Sequence, residues 1–147
     1  MQEYNPKKDE EVLAEIYRNC KLALQSIEDI LPECDDGELK AEIESQSEGY
    51  ERISEKASAY AKNKQIELKE PNPLKKMMMW GAIKMSTLTN GTRSHIAEKM
   101  IRGTVMGITS LKTTQSESQS EDENVTNLLN ELIQLEERYE KKLKSYL

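Results

Sequence analysis

Phenylalanine is absent from these 147 residues, and tryptophan and histidine occur once each, as Trp80 and His95. With hydrophobic residues at only 36%, a core has to be assembled from Leu, Ile, Met, Tyr and Ala in narrow stripes. Narrow stripes suit slender helices packed side by side. Proline and glycine are scarce, four and six residues, which leaves long stretches free to be helical. The two cysteines, Cys20 and Cys34, have no metal-ligand spacing and make no disulfide framework, so a reduced cytoplasm is the expected setting. Long apolar runs are missing. The longest, Met77-Met78-Met79-Trp80-Gly81-Ala82-Ile83, falls far short of the roughly 20 residues that span a bilayer. Met1-Gln2-Glu3-Tyr4 does not resemble the start of a signal peptide. A basic excess is missing as well: the net charge is −6, where a general nucleic-acid binder would show a basic stripe with aromatics. Neither nucleic acid nor a membrane is therefore expected as a partner.

What is present is amphipathic helix, well punctuated. Asn5-Pro6 and Asn72-Pro73 each place an N-cap residue before a proline in the first turn, where its missing N–H costs nothing. Asp35 with Glu38, and Ser120 with Glu123, resemble capping boxes. Pro32 and Pro71 stop the two helices that precede them. The first stripe is Leu13, Tyr17, Cys20, Leu24, Ile27, Leu31 and the second Leu39, Ile43, Gln46, Tyr50, Ile53, Ala57, Tyr60. The last is Val125, Leu128, Leu132, Leu135, Tyr139, Leu143, Tyr146. Steps of three and four mark coiled-coil-like seams. Gln46 is the polar exception, expected to hydrogen-bond across the bundle or to sit near its edge. The polar run Thr113 to Ser120 reads as a loop. One domain over 1–147 is expected, with helices over about 6–31, 36–68, 73–113 and 121–146. A straight third helix of that length would reach roughly 60 Å, so a kink is expected at Asn90-Gly91.

The third helix also gathers the rare residues. Met77 to Ile108 holds six of seven methionines, Trp80, His95 and Gly81, Gly91, Gly103 and Gly107. From Pro73 to Lys112 its only acid is Glu98 against seven bases, whereas Asp35 to Glu55 has eight acids and two bases. The third helix is therefore expected to lie beside acidic neighbours. Three successive methionines cannot all face one core, so Met77, Met78 and Trp80 are candidates for a contact surface. Gly103 and Gly107 extend through Ser110 to Thr114 as a small-residue stripe that permits close backbone approach, within the bundle or across a dimer. No oriented base accompanies a nucleophile, since the only His stands next to Ser94, about 100° away around a helix. No enzymatic activity is expected.

The string from Trp80 to Ile108, chiefly Ser94-His95-Ile96-Ala97-Glu98 and Met106-Gly107-Ile108, resembles the third helix of a family of small uncharacterised bacterial proteins of Firmicutes type. Those proteins are similar to ferritin-like four-helix bundles, and Glu136-Glu137 before Tyr139 in the last helix fits them too. The resemblance implies a fold and little more. Ferritin-like di-iron proteins use Glu-x-x-His on two helices and a Glu on each of the others. Here the only motif is the reversed His95-x-x-Glu98, while Glu131-x-x-Gln134 resembles a half-site that has lost its His, and Glu44, Glu48 and Glu51 have no His beside them.

These readings converge on an all-α, up-down four-helix bundle, ferritin-like, with a long, kinked third helix. The expected function is a non-catalytic self-association or protein-interaction module, a homodimer or a partner complex, with Met77, Met78, Trp80, Gly103 and Gly107 in contact and no cofactor. The alternative is a degenerate ferritin-like protein holding one divalent metal ion through His95 and Glu98. A third reading is an apolar-ligand bundle with a cavity near Gly91 lined by Met85, Leu88 and Tyr50.

Overall fold

A computed structural model describes residues 8–69, 92–118 and 120–147. Within them lie four α-helices and no β-strand: α1 (Asp9–Ile30), α2 (Gly37–Asn63), α3 (Arg93–Glu117) and α4 (Glu123–Lys144), with a short 3-10 turn over Leu31–Glu33 after α1. At 22 to 27 residues each, the helices run roughly 33–40 Å. The expected bend at Asn90-Gly91, the Asn5-Pro6 and Asn72-Pro73 starts, and Met77, Met78, Trp80, Met85 and Leu88 lie outside the described residues.

Local chemistry sets the helix ends. Asp36, not Asp35, caps α2 by accepting the Leu39 N–H at 2.8 Å. Asp122, not Ser120, caps α4 by accepting the Asn124 N–H at 3.0 Å. The Ser120 hydroxyl instead hydrogen-bonds to Asp9 at the start of α1. α2 stops at Asn63, short of the expected 68. Gln65 takes a left-handed φ of 60°, and the Ile66 and Gln65 N–H groups bond back to the carbonyls of Ala61 and Lys62. That pair of bonds is a Schellman ending made without glycine, and Ile66 completes it by packing on the core. α3 continues to Glu117, through most of the run read as a loop, because Thr109, Thr113 and Ser116 turn their hydroxyls back onto carbonyls of the preceding turn.

The stripes meet in one core. Leu13, Cys20 and Ile27 of α1, Leu39, Ile43, Ile53 and Ala57 of α2, Ile96, Ala97 and Leu111 of α3, and Val125, Leu129, Leu132 and Leu143 of α4 are buried together. Gln46 is buried, and among the described residues its amide makes no bond across the bundle. Its amide donates to Glu42 one turn earlier at 3.0 Å, which satisfies it within its own helix.

Contacts at the helix ends fix the directions. Arg93 at the start of α3 pairs with Glu38 at the start of α2, 3.6 Å, and lies over the Tyr146 ring just after α4. At the opposite end, Tyr60 of α2 donates its hydroxyl to Asp122 before α4. The order is thus up, down, down, up. α2 leaves at one end of the bundle and α3 enters at the other, so the strict alternation implied by short connections does not hold. α1 packs against α2, α3 and α4, α3 against α4, and α2 against α4. α3 and the acidic α2 lie across the bundle from each other. The acidic neighbours expected for the basic helix appear at Arg93–Glu38 of α2 and, farther along, at Lys112–Glu137 of α4, 3.5 Å; α2 reaches α4 through Lys56–Glu131 at 3.1 Å.

Candidate functional site

The interior contains one group that its seam does not account for. Leu129, Leu132 and Leu143 commit one face of α4 to the core, and Glu136 lies on that face, one turn after Leu132 and two turns after Leu129. It is 2% exposed. Three other helices converge on its carboxyl group. From α2, the Tyr50 hydroxyl donates to Glu136 Oε2 at 2.8 Å. From α3, Gly107 approaches so closely that a methyl group there would lie 2.8 Å from Oε2 and 3.1 Å from Oε1. From α1, the Asn19 amide donates to the Gly107 carbonyl at 3.3 Å. Glu136 Oε1 and Asn19 Oδ1 are buried with no hydrogen-bond partner.

These groups form the floor of a cavity of about 620 Å³ between α1 and α3. Leu22, Ala23, Ile27, Met100 and Met106 make its walls largely apolar. At its edge Arg18 is paired with Glu15 and Arg102 with Glu98. Tyr50 is held from behind by Tyr139, ring edge to ring face at 5.5 Å, and Gly49 leaves the space that the Tyr139 hydroxyl enters.

Burial governs the electrostatics. It pushes the Glu136 carboxyl from 4.5 up to about 8, opposed only by the Tyr50 hydrogen bond. No cation among the described residues contributes. The Tyr50 phenol is driven well above its usual value, first by burial and then by the Glu136 charge. Cys20 is likewise pushed up, by burial and then by Glu136, so its thiol stays protonated and is a poor nucleophile. Near neutral pH the floor is therefore a carboxylic acid, a phenol and an amide. It offers hydrogen bonds, without a general base or an activated nucleophile.

The other sequence candidates fall elsewhere. His95 is partly exposed in the first turn of α3, and Glu98 is engaged by Arg102 at 2.6 Å. No group of three metal-ligating side chains occurs among the described residues. Glu44, Glu48 and Glu51 face outward from α2. Gly103 lines the cavity and Gly107 meets Glu136, so along this part of α3 the small-residue stripe opens space inside the chain. Tyr50 lines this cavity between α1 and α3; the cavity expected near Gly91, with Met85 and Leu88, lies outside the described residues. No helix among the described residues is long and apolar enough to cross a membrane.

Gly107→Ala tests the close approach. Alanine raises helix propensity by roughly 1 kcal/mol, yet its methyl would drive the Glu136 carboxyl off its Tyr50 hydrogen bond. The expected result is a net loss of about 1–2 kcal/mol in urea unfolding. A stabilised variant would show that the carboxyl is free to move. No protein-family model, no curated protein and no solved structure matches this chain.

Proposed function

We propose that this chain is a non-catalytic, ferritin-like helical bundle whose role is to bind a small, largely apolar molecule between α1 and α3. The observation that carries this reading is the cavity itself: about 620 Å³, within the range of small-molecule sites, with apolar walls and a few convergent polar groups at one end. The arrangement leaves Glu136 Oε1 and Asn19 Oδ1 without a partner, and an unsatisfied buried polar atom costs roughly 1–3 kcal/mol. The up-down-down-up order, with α2 leaving at one end and α3 entering at the other, supports the ferritin-like comparison, because such bundles contain one long crossover.

A fluorescent apolar probe such as N-phenylnaphthylamine tests the reading. It is expected to bind with saturation and one-to-one stoichiometry, and Ala23→Phe, which places a ring in the cavity, is expected to weaken it by about tenfold or more. Unsaturable binding, or binding that Ala23→Phe leaves unchanged, would contradict the reading.

Self-association through α3 remains a second reading. Val105 and Met106, 40% and 56% exposed, favour it, Met106 at the cavity wall. Light scattering on wild type and Met106→Glu checks it. A concentration-dependent dimer lost in the variant is the expected outcome for that reading, and a monomer in both ends it.

A further inference from the structure

We propose that the cavity selects ligands with a hydrogen-bond-donating, basic head group, an aliphatic amine on an apolar body, by seating the amine on Glu136 Oε1 and Asn19 Oδ1. The proposal rests on the small-molecule reading above and names the ligand class. Both unpartnered buried atoms at the floor are oxygens, and both accept once Glu136 is ionised. The carboxyl oxygen that could pair within the chain does so, with Tyr50, which leaves Oε1 as the atom with unused capacity. An acyl tail reaching the floor would meet these oxygens with carbon alone and leave them unpaired. An ammonium group has three donors and the opposite charge to a carboxylate, and charge-assisted bonds of that kind are about twice as strong as neutral ones.

Two of the three basic side chains on the cavity lining are already paired, and Lys99 adds one further positive charge to the wall. Of the groups lining the cavity, Glu15 and Arg18 of α1 neutralise each other, and Arg102 of α3 is neutralised by Glu98. Cys20 of α1, Tyr50 of α2 and Tyr139 of α4 all have pKa values raised by burial and stay neutral near pH 7. Lys99 of α3 lines the wall but is not among the groups that shift Glu136, which responds to burial and to Tyr50 alone. The amine therefore meets a carboxyl group that no described cation serves. In the empty protein near neutral pH that group carries its proton. An incoming ammonium ion leaves a carboxylate–ammonium pair, and the Glu136 proton passes to the buffer.

Titration calorimetry with octylamine, octanol and octanoate, matched in chain length, tests the proposal on wild type and Glu136→Gln. Octylamine is expected to bind about tenfold more tightly than octanol and more tightly still than octanoate, with release of about one proton near pH 6 when buffers of different ionisation enthalpy are compared. Glu136→Gln keeps the side chain's shape and is expected to remove the amine preference and the proton release, so that octylamine and octanol bind that variant within about threefold of each other. Equal affinity for octylamine and octanol, tightest binding by octanoate, or an amine preference that survives Glu136→Gln overturns the proposal and leaves the small-molecule reading standing. Failure of all three compounds to bind overturns both.

Discussion

Glu136→Gln is expected to flatten the pH dependence of stability and to make the protein more stable than wild type by roughly 2–4 kcal/mol at about pH 9. The argument begins with the raised carboxyl, which moves from 4.5 to about 8 on folding. A group whose pKa rises on folding binds its proton more tightly in the folded state. Its contribution is fully favourable below 4.5 and is lost as pH rises through about 8. A shift of that size corresponds to roughly 5 kcal/mol between the two protonation states, an upper bound because water entry and relaxation relieve part of it. Glutamine has no charge to bury. Its carbonyl can still accept from Tyr50, and its amide can face Asn19 Oδ1. Urea unfolding of both proteins between about pH 5 and pH 9 checks this. Curves that run parallel across that interval would mean that Glu136 is not held in a dehydrated site.

Tyr50→Phe is expected to cost about 1–3 kcal/mol near neutral pH, because it removes the hydroxyl that satisfies Glu136 Oε2. The ring is 3% exposed and phenylalanine keeps its packing, so the loss belongs to the hydrogen bond. The Tyr50 bond is also the one cause that holds the Glu136 carboxyl down. Without it the carboxyl rises above about 8, and the alkaline decline in stability extends to higher pH than in wild type. In the Glu136→Gln background the same substitution should cost less, since a neutral acceptor is cheaper to leave unpaired. A double-mutant cycle measures the difference. Additive effects would show that the two side chains do not act together.

The four helices could be read in the sequence because their seams and polar caps are local signals. Helix direction could not. A short apparent connection before Pro73 suggested alternation, whereas the end contacts of Arg93, Tyr60 and Ser120 are set by tertiary packing. The stopping point of α2 was hidden for a related reason: the left-handed residue is Gln65, not Gly or Asn, and the packing of Ile66 stabilises it. Glu136 was the main loss. The stripe chosen for the last helix ran through Leu128 and Leu135. The set Val125, Leu129, Leu132, Glu136, Tyr139, Leu143, Tyr146 keeps the same three- and four-residue steps and contains one acid. A single charge at a seam position is the signal of Glu136 that the sequence carries. Gly107 stood out as a small residue, but what it makes room for, a carboxyl group from another helix, follows only from the fold.

The most direct test of the ligand-binding account is a crystal structure of the protein grown with ω-bromooctanol, with the bromine located by anomalous scattering. The account predicts one ordered bromine between α1 and α3, near Leu22 and Met106, with the hydroxyl at the other end of the chain on Glu136 Oε1. Bromine found only on the outer surface, with Glu136 Oε1 bonded to a side chain of the protein itself, would contradict it.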